Sequence, residues 1–154
     1  MNRIYASWDP QTELLQTELS GTIAVADVLL WRDRLYQALA LIQDNGQFFL
    51  WSNLQGYKPA NIEAHQMMRP IIPELLISHG MRPAYADLFD ESPEIDITLA
   101  RGIRCLAHAT IHHDQTKMSH FECTIAKRNQ RFFSDPREAE NWLLTFKRSI
   151  SPGH

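Results

Sequence analysis

A chain of 154 residues with 44% hydrophobic content and a net charge of −3 holds enough apolar material for one sizeable core. Its Lys and Arg residues do not cluster, which speaks against nucleic-acid binding, a function that rests on phosphate neutralisation. No apolar run approaches the roughly 20 residues of a membrane-spanning helix, and Met1 to Tyr5 lacks a signal-peptide apolar region. Without a secretion signal, Cys105 and Cys123 read as free thiols rather than a disulfide. A cytoplasmic location is expected.

Residues Asn2 to Trp8 alternate Arg3, Tyr5 and Ser7 against Ile4, Ala6 and Trp8, a strand pattern. The turn signal Asp9-Pro10-Gln11-Thr12 and a second strand from Glu13 to Leu19 complete an N-terminal hairpin, and Ser20-Gly21 marks a break. From about Val25 to Gln43 the period becomes helical, with Val28, Trp31, Leu35, Ala38, Leu39 and Ile42 on one face. The run Gln47 to Ser52, with Phe48-Phe49-Leu50-Trp51 at its centre, reads as a strand covered on both faces. Asn53 to Pro59 is a loop. Asn61 to His79 reads as a helix that kinks or restarts at Pro70 and Pro73.

Arg82 to Phe89 is read as a strand. Between Glu91 and His113, Leu99, Ile103, Leu106 and Thr110 fit a helix, while Ile103, Cys105, Ala107, Ala109 and Ile111 fit a strand. The next segment favours a strand from Ile103 to His112, because Asp114 can cap a helix striped by Met118, Phe121 and Ile125. The last unit is the clearest. Phe132 and Phe133 form a short strand, Asp135 caps, Pro136 takes the first helical position, and Glu138 stands where a capping box needs it. Ala139, Trp142, Leu143, Phe146 and Ile150 make one apolar stripe, which places Trp142 in the core.

Helices alternating with strands after an opening hairpin predict an α/β fold with a mixed sheet of five or six strands and about four helices. Residues 1–150 form one domain in this reading, and 151–154 a C-terminal tail.

Four places resemble the SpoIIAA-like, STAS-type domains, a family grouped with Sec14-like lipid carriers. They are Gly21-Thr22-Ile23 with Asp27; Leu54, Gly56 and Tyr57; Phe121-Glu122 with Ala126 and Arg128-Asn129; and Arg131 to Asp135 with Glu138-Ala139 and Trp142-Leu143. The resemblance implies a mixed sheet opened by an N-terminal hairpin, with helices packed mainly on one side. Antagonists of this fold carry an Asp-Ser-Ser-Gly phosphorylation loop after the central strand. Here the same region reads Ser52-Asn53-Leu54-Gln55-Gly56-Tyr57, so the resemblance implies no serine switch.

Candidate chemistry is sparse. His108, His112, His113, Asp114 and His120 lie close in sequence, and His112, His113 and Asp114 are the donor types that zinc or iron takes. Adjacent strand residues point to opposite faces, however, which separates His112 from His113. The plainer reading makes Asp114 a helix cap. Neither cysteine sits in a basic, activating setting, and there is no Gly-x-Ser-x-Gly elbow or phosphate-cradling loop. Trp31, Trp51, Tyr57, His65 and Met68 are the candidates to line an apolar ligand pocket, with core packing as the competing role. The expectation is a non-catalytic STAS-type module for a protein partner or a small apolar ligand, without a cofactor. The alternative is a metal-binding protein or enzyme built on His112 to His120. Low charge along Ile4 to Trp8 leaves an open strand edge and predicts a homodimer.

Overall fold

A computed structural model describes residues 2–84 and 96–150. Strands β1 (Arg3–Asp9) and β2 (Leu14–Ile23) form the antiparallel hairpin. Helix α1 (Val25–Ala40) leads to β3 (Gln47–Asn53), and a short β4 (Tyr57–Pro59) precedes α2 (Ile62–Met68) and α3 (Ile71–Ile77). A single 3-10 turn at Ala100–Gly102 enters β5 (Arg104–Ile111). Then come α4 (Gln115–Thr124), β6 (Gln130–Phe133) and α5 (Pro136–Ile150). The sheet order is β1-β2-β3-β5-β6, with β4 paired to β2, and every contact except the hairpin is parallel. The fold is therefore α/β with a six-stranded mixed sheet, as the alternation of periods predicts.

Side-chain alternation along β3 divides the core. Phe48 and Leu50 join the cluster built with Trp31, Leu35, Leu75 and Leu76, so α1, α2 and α3 cover one face. Phe49 and Trp51 join Ala107, Ala109, Ile111, Ala139 and Leu143 under α5 on the other. Three of the five described helices thus share one side.

Local chemistry explains the element ends. The Ala24 N–H donates to Asp27 Oδ2 at 2.9 Å, which fixes the first turn of α1. Asn61 caps α2 by accepting from the Ala64 N–H, and the chain restarts as α3 after Pro70, where the kink was expected. Arg101, at positive φ, closes the far end of α1. Its guanidinium donates to the Leu39 and Ile42 carbonyls at 3.3 and 2.5 Å and pairs with Asp44. Asp135 Oδ1 accepts from the Arg137 N–H at 2.9 Å, so α5 is capped where the sequence placed the cap.

Three expectations change. First, the break expected at Ser20-Gly21 is absent; β2 continues to Ile23, and the loop expected at Asn53 to Pro59 contains β4, which pairs with that extension. Gly21, at φ +93°, lets the chain through: a Cβ there would stand 2.2 Å from Asn2 Oδ1. Second, Arg82 to Ala84 form no strand, because the Gln130 side chain holds their backbone, accepting from the Ala84 N–H and donating to the Arg82 carbonyl. The rest of that expected strand, to Phe89, lies outside the described residues, as does the tail 151–154. The ambiguous stretch resolves as the favoured strand, β5, and residues 97–103 are not helical apart from the 3-10 turn. Third, Trp142 is half-buried, packed at the rim in tilted contacts with Phe133 and Phe146 at 5.8 and 5.7 Å, while Ala139 and Leu143 fill the interior. Leu143→Ala is accordingly expected to lower unfolding free energy by about 2–5 kcal/mol, and Trp142→Ala by less. Urea denaturation of both variants measures the order.

Candidate functional site

The parallel strands β2, β3, β5 and β6 follow one another in chain order. Among the described residues the sheet therefore shows no reversal of strand order of the kind that opens a ligand crevice in doubly wound folds. Sites have to be found in the side chains at the strand ends and between the layers.

Beyond the end of β5, the rings of His112 and His113 stack with centroids 4.1 Å apart. The strand ends at Ile111, so the opposite-face rule that separated the two histidines no longer applies. His113 Nδ1 accepts from the Gly56 N–H at 3.1 Å, and His112 Nδ1 accepts from the Asp114 N–H at 3.1 Å. Asp114 Oδ1 in turn accepts from the Lys117 N–H at 3.0 Å and caps α4. A neutral imidazole that accepts at Nδ1 carries its proton at Nε2, so neither ring keeps a lone pair for a metal. The structure thus brings His112, His113 and Asp114 together but commits them to joining the β3–β4 turn, the end of β5 and the start of α4. Among the described residues, no three His, Cys, Asp or Glu side chains converge in a way that would hold a metal ion. Burial, with His113 and Lys117 nearby, lowers the His112 pKa.

The candidate pocket residues divide between the two faces. Trp31 is fully buried under α1 and donates from Nε1 to Thr17 Oγ1 at 2.6 Å. Tyr57 and Met68 belong to the same cluster, and His65 meets the Tyr57 hydroxyl at 3.2 Å. Trp51 lies on the opposite face, with its Nε1 donating to the Pro136 carbonyl at 3.0 Å. The five cannot line one cavity, because the sheet passes between Trp51 and the rest.

Two hollows lie elsewhere. A groove of about 320 Å³ runs between α4 and β6, bordered by Met118, Ser119, Cys123, Phe132 and the Arg131–Glu122 ion pair at 2.5 Å. A smaller cavity of about 60 Å³ lies against β5 and β6, lined by Pro73, Leu76, Pro83, Ala84, His108, Thr110, Gln130 and Phe132. His108 is 8% exposed; its Nε2 is 3.1 Å from Ser52 Oγ and 3.4 Å from Thr110 Oγ1. Burial lowers its pKa to about 4, so the ring is neutral at pH 7. Cys105 is buried and its thiol pKa is raised by that burial; Cys123 is exposed, and both thiols are free.

Sequence reasoning grouped His108 with the wrong neighbours and missed Ser52, Thr110 and Gln130. A polar residue alternating with alanines in a buried strand is the signal that could have found them, since such a group needs a partner across the sheet.

Comparison with protein-family models, curated proteins and solved structures finds no match to this chain.

Proposed function

We propose that the chain is a non-catalytic STAS-type binding module for a protein partner or a small apolar ligand, and that it works as a homodimer joined along β1. The observation that supports this most is the difference between the two sheet edges. At β6, Glu122 Oε2 accepts from the Phe132 N–H at 2.9 Å, and Lys127 and Gln130 exchange backbone hydrogen bonds. That edge is already occupied by its own chain. At β1, no described strand pairs with the outer side, and Arg34 reaches only the Ile4 carbonyl.

The edge is also self-complementary. An antiparallel pairing of two copies about Ala6 sets Arg3 opposite Asp9, Ile4 opposite Trp8, and Tyr5 opposite Ser7, so opposite charges meet at both ends. Leu30 and Leu41, 40% and 69% exposed, share the flank of α1 that carries Arg34 toward β1, and a second copy would cover them. Ser52, the hydroxyl nearest in sequence to the family's phosphorylated position, is 2% exposed and hydrogen-bonded to His108. This burial supports a module without a serine switch.

Sedimentation at micromolar concentration should give a two-chain mass that falls to one chain when Leu30 and Leu41 are both changed to Glu. A one-chain mass for the unaltered protein overturns the homodimer. A two-chain mass that survives both substitutions refutes β1 as its interface.

A further inference from the structure

The C-terminal ends of β3 and β5 carry a titratable tie that neither the core nor the β1 edge uses. The turn from Asn53 to Tyr57 is pinned by several hydrogen bonds. The Leu54 N–H donates to the Ile111 carbonyl at 2.8 Å, the Gln55 N–H to Asn53 Oδ1 at 3.0 Å, and Gln55 Nε2 to the Ser134 carbonyl at 2.7 Å. The tip, Gly56, is held from two sides. Its N–H donates to His113 Nδ1 at 3.1 Å, and its carbonyl accepts from the Gly21 N–H at 2.9 Å, where β4 begins to pair with β2. Of these acceptors, only the imidazole changes its protonation near neutral pH.

His113 is exposed, so solvent reaches it. Accepting at Nδ1 requires the neutral ring, because an imidazolium carries N–H at both nitrogens and accepts at neither. The stacked partner does not share the proton easily, since two charged rings with centroids 4.1 Å apart repel. Burial, His113 and Lys117 hold His112 toward its neutral form, against the pull of Asp114. Lys117 and Asp114 are the charged groups that α4 brings to the pair. The turn, Asn53 to Tyr57, carries no ionised group: the Tyr57 hydroxyl meets His65, and burial raises its pKa. The segment before α5 contributes Ser134 and, one residue on, Asp135.

We propose that His113 is an acid-released latch on the β3–β4 turn. A solvent proton added to Nδ1 sets one N–H against another, breaks the bond to Gly56, and loosens the tip of the turn together with the first pairing of β4 with β2. The release is local, because Leu54 stays tied to Ile111 and β3 stays between β2 and β5. It depends neither on association through β1 nor on what the module binds.

Backbone amide exchange, expressed as protection relative to a free chain at the same pH, tests this from about pH 7.5 to about pH 5.5, either side of the ordinary imidazole value. The ring resonances of His113 in the same samples report its charge. Protection at Gly56 should fall about fivefold as the ring takes its proton, the share of one hydrogen bond. Gly21 should follow with the same midpoint, while Leu50 and Ala107 in the buried strands do not change. His113→Asn places an oxygen where Nδ1 stands, accepts at every pH, and should keep both glycines protected throughout. Where that variant does not fold, the two glycines of the unaltered chain still decide. Protection at Gly56 that ignores the charge on His113 overturns the proposal, as does an identical loss in His113→Asn. A loss shared equally by Leu50 and Ala107 is general acid unfolding and overturns it too.

Discussion

Trp31→Ala is expected to lower the unfolding free energy by about 3–5 kcal/mol, the range for deleting a large buried aromatic. Trp31 is fully buried where α1 meets the sheet, so the cavity left behind would be walled by Leu35, Leu15 and Leu19 of the same cluster. Its indole N–H also donates to Thr17 Oγ1, and that hydroxyl in turn donates a hydrogen bond to the Tyr5 carbonyl at 2.8 Å. The chain of bonds therefore ties α1 through β2 to β1. Trp31→Phe keeps most of the volume but leaves a buried acceptor unfilled, which costs about 1–3 kcal/mol. Chemical denaturation of the two variants separates packing from the hydrogen bond. Equal losses would mean that the packing of the ring adds nothing beyond the bond, which both variants lack, whereas an unchanged stability in Trp31→Phe would mean that the bond contributes nothing.

Acid should weaken the fold through the histidines. Burial holds the His108 pKa at about 4 against an ordinary value near 6.5, and it also lowers His79 and His112. A group whose folded pKa is lowered binds its proton more readily once unfolded, so stability rises with pH across the window. The contribution is fully present above pH 6.5 and is lost as pH falls toward 4. For His108 this amounts to about 3 kcal/mol, with His79 and His112 adding in the same direction. Denaturation midpoints at pH 7.5 and 4.5 measure the total. His108→Gln removes the largest share, so the variant should lose distinctly less between the two pH values. A pH dependence identical to that of the unaltered chain would show that His108 does not resist protonation.

Strong local signals made much of the fold legible. The 3.6 period of α1, the proline restart between α2 and α3, and the cap–proline opening of α5 are each written in a few neighbouring residues. Features that depend on a partner across the sheet were not legible. β4 is three residues long and exists because β2 runs past the end of β3. In β5 the alternation of Ile103, Cys105, Ala107, Ala109 and Ile111 looks continuous, yet the register shift against β3 pairs Phe48 with Cys105 and Phe49 with Ala107. Leu106 is the extra residue, so Cys105 lies on the α1 side while Ala107, Ala109 and Ile111 lie under α5. The same shift points His108 toward Ser52 rather than toward the His112 segment. Trp31 and Trp51 looked like one aromatic group because both fall in apolar runs, and periodicity does not say which face of a sheet a helix will cover.

The carboxylate of Glu122 on the Phe132 N–H has a consequence for growth in number. Edge-to-edge addition needs a donor edge and an acceptor edge on every copy before it can propagate. With β6 sealed by its own chain, a molecule that pairs through β1 has nothing further to offer, and addition stops after one step. In the proposed pairing, two copies would use up the open outer edge of the described sheet, which would make such an assembly self-limiting and keep a chain with a bare strand at its margin from elongating into a fibre.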